Sequence, residues 1–182
     1  MKRSPAARQL HHAYLGGLLE HTLAMAELAL VVVPKYPQLS MDLMLAGIFL
    51  HDIAKSWELA SQTSFDYTDG GELVGHLVKG AVWIEQRAAA AAAETGQPFP
   101  EDLLNVLQHI ILSHHGQYEF GSPKLPAVPE AIAIHHLDNL DAKLNLCRRE
   151  IDSDPDAGRD FTDRVWGLDN IRLYKKRVLE SP

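Results

Sequence analysis

Residues 43–59, LMLAGIFLHDIAKSWEL, constrain this chain more than any other stretch. From Leu43 to Leu50 the segment is apolar on every side, so a helix built from it belongs inside a core. With no turn residue in between, it then delivers His51, Asp52 and Lys55. A buried carboxylate or charged imidazole costs several kcal/mol unless it is paired or bound to a metal. The core that accepts this helix must therefore offer partners for those side chains.

The remaining segments predict more helices. In 16–37, GGLLEHTLAMAELALVVVPKYP, Leu19, Leu23, Ala26 and Leu30 recur at helical spacing, and Pro34 and Pro37 end the pattern. Ser40 reads as the N-cap of the helix that runs on through His51 and Asp52 to Lys55, with Asp42 suiting its first turn. A loop, SQTSFDYTDGG, precedes a helix that carries His76 and ends at Gly96. Pro100 and two acids open the next, which ends on His114, His115 and Gly116. A helix of about six turns (EAIAIHHLDNLDAKLNLCRREI) carries Asp138. The tail FTDRVWGLDNIRLYKKRVL, from about residue 159 to 178, reads as a further helical segment packing through Val165, Trp166 and Leu168. No alternating pattern is long enough for a sheet, and there is no internal repeat. The expectation is an all-α fold: one domain over residues 1–182, with its motif-bearing core at about 12–150 and a metal site between its helices.

Five apolar helices thus each contribute polar residues near an end: His21, His51 with Asp52, His76, His114 with His115, and Asp138. One shared divalent metal centre satisfies them together. Mixed imidazole and carboxylate donors suit Mn, Fe, Ni, Co or Zn better than Ca. His51 and Asp52 point about 100° apart on a regular helix, so both reach one ion only at a frayed end, or if the carboxylate bridges two ions. Two ions about 3.5–4 Å apart form a standard device for phosphoester hydrolysis.

The order His21, His51-Asp52, Asp138 resembles the HD-domain metal-dependent phosphohydrolases, an all-helical superfamily. GGLLEHTL, LAGIFLHDIAK, GHLVKG, ILSHHGQYEFGSP, HHLDNLDAK and FTDRVWGLDN narrow the resemblance to the HD domain of bacterial 3′→5′ exoribonucleases of the YhaM type, over about residues 12–175. The resemblance implies a four-ligand set of His21, His51, Asp52 and Asp138. It further implies that His76, His114 and His115 hold a second ion, with Asp52 as the bridge and Lys55 facing the substrate phosphate. One or two divalent ions are implied, Mn first, with Fe, Ni, Co, Mg or Zn as alternatives. Asn139 and Asp141 stand close enough to Asp138 to orient it or to touch substrate. His11, His12, His109, His135 and His136 are read as surface or packing residues. YhaM-type enzymes carry an OB-like domain ahead of the HD domain, where this chain has about a dozen residues. The expectation is accordingly a phosphodiesterase working on RNA 3′ ends or short oligonucleotides through a metal-activated hydroxide.

Two other readings stand beside it: a nucleotidase or other small-phosphoester hydrolase, cyclic dinucleotides included, and a metal-binding nucleotide sensor without catalysis. A net charge of −7 excludes a basic stripe spanning many phosphates, which leaves divalent ions as the local attraction for an RNA or nucleotide substrate. One cysteine, Cys147, and no secretory leader set a cytoplasmic expectation. The apolar runs LALVVV and LMLAGIFL fall short of the roughly 20 residues that span a membrane, so no membrane partner is expected.

Overall fold

The computed structural model describes residues 16–60, 66–156, 158–176 and 178–179, so His11 and His12 lie outside the described residues. Six helices carry most of it: α1 (Gly17–Val32), α2 (Met41–Leu50), the single turn α3 (Lys55–Glu58), α4 (Asp69–Thr95), α5 (Glu101–Ser113) and α6 (Pro129–Asp152). Two small antiparallel hairpins accompany them, β1 (Leu59–Ala60) with β2 (Asp66–Tyr67), and β3 (Phe161–Val165) with β4 (Ile171–Tyr174). As the sequence predicts, Ser40 caps α2 by accepting from the Leu43 amide at 3.3 Å, and Gly96 ends α4 in the left-handed region at φ 67°.

The main core joins Met25 and Ala29 of α1, Met44 and Ile48 of α2, Ile110 of α5, and Ile134 and Leu137 of α6. Each fully buried aliphatic side chain contributes about 1.5–3 kcal/mol. Gly47, in the middle of the apolar run, lets α2 close onto α6: a methyl group there would stand 2.5 Å from Ile134 Cδ1.

Three expectations need correction. First, α1 buries Leu18, His21, Thr22, Met25 and Ala29, while Leu19, Leu23 and Leu30 are exposed. The helix is apolar nearly all round, so periodicity alone did not select a face, and the polar pair His21 and Thr22 turned inward did. This helix with its 3₁₀ extension, Gly17–Lys35, also reaches spanning length, with a mean hydropathy of 1.4. Its inner face packs against α2 and α6, which accounts for the apolar residues on that side. Second, α2 stops at Leu50 instead of continuing to Lys55. Residues 51–54 form tight turns, with the Ile53 amide bonded to the Leu50 carbonyl and the Lys55 amide to that of Asp52.

Third, the described residues of the segment at about 159–178 form no α-helix, only a 3₁₀ turn at Trp166–Leu168. They make the β3–β4 hairpin, with Val165 paired to Ile171 and a connection that is left-handed at Asp169 (φ 52°) and Asn170 (φ 58°), residue types that tolerate that region. Val165 and Leu168 pack on Leu146 of α6 as foreseen, but Trp166 is 77% exposed.

Candidate metal centre

All seven sequence-selected donors converge where α1, α4, α5 and α6 meet the turn after α2. His21 projects from α1 and Asp138 from α6, with His21 Nε2 at 3.2 Å from Asp138 Oδ1. His51 and His114 occupy the residues that terminate α2 and α5. Asp52 sits in the turn between, where the frayed helix end frees its carboxylate from the 100° separation that a regular helix imposes. One of its oxygens, Oδ2, lies 3.4 Å from His51 Nε2; the other, Oδ1, lies 3.4 Å from both His76 Nε2 and His114 Nε2. Six of the seven donors fall into two groups within which ligating atoms lie no more than 4.8 Å apart, His21, His51 and Asp52, and His76, His114 and His115, while Asp138 adjoins the first through His21. Asp52 stands between the groups with an oxygen toward each.

The ring orientations are fixed from behind. His51 Nδ1–H donates to the Ile48 carbonyl (2.7 Å), His114 Nδ1–H to that of Ile111 (2.8 Å), and His115 Nδ1–H to that of Phe120 (2.8 Å). A carbonyl only accepts, so the proton resides on Nδ1, and Nε2 of His51 and His114 presents a lone pair to the centre. Asp141 does the same for His21, its Oδ2 accepting from Nδ1 at 2.7 Å, and Asn145 steadies that carboxylate from 3.0 Å. Asp141 therefore orients His21 and not Asp138.

Sequence reasoning missed the corresponding support for His76. Glu58, buried at the end of α3, accepts from both the His76 amide (3.0 Å) and His76 Nδ1 (3.1 Å). It reaches them because α4 is broken at Gly75, whose φ of 73° and ψ of 162° free the next amide from the helical ladder. A glycine immediately before a histidine inside a helical pattern was the available signal. His135, read as a packing residue, packs here: its Nδ1–H donates to the His114 carbonyl at 2.9 Å, and its ring fills the space where any side chain on Gly116 (φ 78°) would stand.

Burial opposes the charged form of His21, yet the flanking Asp138 and Asp141 outweigh it and raise its pKa to about 9. Burial likewise opposes ionisation of Asp52, but Lys55 and His51 hold its carboxyl well below the usual range. Asp138 is lowered in the same way, chiefly by its hydrogen bond with His21 against the effect of burial. Burial pushes His114 down to about 3 and lowers His115, so both stay neutral and ready to donate a lone pair. Lys55 donates to Asp52 Oδ2 at 2.6 Å; burial disfavours its ammonium, but Asp52 and Asp138 raise its pKa.

These residues fit divalent metal. Among the described residues, Nε2 of His51, His76 and His114 and Oδ1 of Asp52 are buried with no hydrogen-bond partner. Four such atoms facing one another are costly unless something cationic lies between them.

The chain belongs to the HD domain family, whose model matches residues 18–143. It is 43% identical over 171 residues to the 3′-5′ exoribonuclease YhaM of Bacillus licheniformis, a match covering 94% of this chain and 52% of that protein. The enzymes of the same name from Bacillus subtilis and a Geobacillus species are each 42% identical over 171 residues, covering 94% of this chain and 52% and 50% of theirs. This chain thus spans about half the length of the curated relatives it matches. No solved structure matches it.

Proposed function

We propose that this chain is a metal-dependent phosphodiesterase that hydrolyses RNA 3′ ends or short oligonucleotides. The observation that carries the reading is Asp52, whose two oxygens face two separate donor groups while Lys55 stands beside it. In this reading His21, His51, Asp52 and Asp138 hold one ion, and His76, His114, His115 and Asp52 a second, Mn being the first choice. Bound there, the ions supply Lewis-acid charge at the phosphoryl oxygens and acidify water. The protein does the rest: Asp52 fixes the spacing of the two groups, and the Nδ1 bonds hold each imidazole in one tautomer and one orientation. The Lys55 ammonium exchanges its bond to Asp52 for a non-bridging phosphate oxygen and offsets the charge that builds there. Relatives named as exoribonucleases support an RNA substrate, and an RNA substrate supports a cytoplasmic setting.

Protein loaded with Mn²⁺ is expected to shorten a 5′-labelled single-stranded RNA. No hydrolysis by the wild type, or equal hydrolysis by Asp52→Ala, would overturn the proposal. A small-phosphoester substrate is the second reading, favoured by a cavity of only about 310 Å³ beside the donors; a far higher kcat/KM on one member of a nucleotide panel than on RNA would select it.

A further inference from the structure

The cavity beside the donors has a chemistry of its own. Lys55 and Asp138 are among its lining residues, and one face of α6 supplies Asn139, Lys143 and Leu146 at helical spacing. Phe120 and Gly167, the latter between β3 and β4, form part of the remaining wall. At about 310 Å³ it sits at the small end of the roughly 300–1,000 Å³ range of ligand sites, which suits one nucleotide and not a longer stretch of chain.

Phe120 is the informative residue. Its loop is tied down, with the Ser122 hydroxyl donating to the Leu112 carbonyl at 3.0 Å, the Gly121 amide to Tyr118, and His115 to the Phe120 carbonyl. On this anchored loop Phe120 is 60% exposed and lines the cavity, so an aromatic side chain is held where a ligand can reach it. An aromatic face held beside two lysines and an amide matches a nucleotide: ring for base, cation for phosphate, amide for a sugar hydroxyl.

We infer that this cavity is a single-nucleotide subsite, in which Phe120 stacks on the base of the 3′-terminal nucleotide and Lys143 and Asn139 hold its sugar-phosphate. The inference rests on the phosphodiesterase reading and adds the determinant of substrate class. Lys143 supplies the local attraction that a chain of net charge −7 does not provide globally.

A cycle between the ring and the base tests it. Binding of the Mn²⁺-loaded protein to a short fluorescent oligoribonucleotide, its last linkage a phosphorothioate to slow turnover, is compared with binding to the same strand ending in an abasic unit. The wild type is expected to prefer the intact strand by about tenfold. Phe120→Ala should lose that preference, and Phe120→Trp should keep it. Lys143→Met should weaken both strands by the same factor. The inference is overturned if Phe120→Ala discriminates as the wild type does, or if the wild type binds the two strands equally. Hydrolysis is scored separately on unmodified RNA. Hydrolysis with undiminished discrimination by Phe120→Ala sinks the subsite and leaves the phosphodiesterase standing, whereas base-dependent binding through Phe120 without hydrolysis does the reverse. Because the Phe120 backbone and not its ring bonds His115, metal content should be the same in Phe120→Ala as in the wild type.

Discussion

The two donor groups that meet at Asp52 are built from opposite electrostatics. Around His21 and His51 the protein places carboxylates, with Asp138 and Asp141 on His21 and Asp52 beside His51, so the metal-free imidazole of His21 is driven toward its charged form. Around His76, His114 and His115 it places other imidazoles and burial. His114 and His115 pack at 4.4 Å between ring centroids, and burial keeps both neutral. The first group attracts a cation by charge and must give up a proton to bind it. In the second, His114 and His115 offer lone pairs already bare, and the group depends on Asp52 and Glu58 for negative charge.

The comparison breaks most completely at Asp52, the residue both groups share. Asp52→Ala should strip metal from both, with activity falling by more than the roughly 10- to 100-fold that loss of a supporting partner costs; elemental analysis alongside the RNA assay checks this. Retention of a full metal complement would mean that the groups do not depend on the shared carboxylate.

Next come the supports, which separate the groups. Asp141→Asn should weaken metal binding at the His21 group, and Glu58→Gln at the His76 group, each by about 10- to 100-fold. In a calorimetric titration each variant should shift a different binding step; the same step moving in both would merge the two groups into one.

The groups should also titrate in opposite senses once metal is chelated. His21 has a folded pKa of about 9 against 6.5 unfolded, so its stabilisation is complete below about pH 6.5 and is lost as pH rises through 9. His114 is depressed to about 3, so the folded form is penalised as pH falls below 6.5, where only the unfolded chain takes up that proton. Thermal melts in EDTA should show stability falling on both sides of about pH 6.5, with the alkaline limb absent in Asp141→Asn combined with His21→Gln.

The smallest effect belongs to the helix break. Gly75→Ala forces a side chain into a positive-φ, extended-ψ conformation open essentially only to glycine, costing about 1–3 kcal/mol, or several degrees in Tm. It should also loosen only the His76 group, read as weaker metal binding at that step.

The seven donors were legible because each is a polar residue on an apolar helical segment, and a core tolerates such residues only together. Their supports were less so. Glu58 looks like an ordinary helix-end acid until Gly75 is known to turn the next amide toward it, and Phe120 looks like loop filler until its anchored backbone is seen. The face of α1 escaped because a helix apolar all round leaves the choice to tertiary packing. The hairpin at β3 and β4 escaped because strands of five and four residues leave little alternation to read, and because its left-handed turn falls on Asp169 and Asn170 and not on the nearby Gly167.

One detail of the donor rings ties the candidate centre to folding. His51 and His114 each end a helix, and each donates back to the carbonyl three residues earlier, on Ile48 and Ile111, among the last carbonyls of a helix that lack a partner within it. The same imidazole finishes the helix and aims the ligand. Unwinding of the last turn of α2 or α5 and misdirection of a donor are therefore one event, so that occupancy of the centre and the integrity of two helix ends rise and fall as a single cooperative unit.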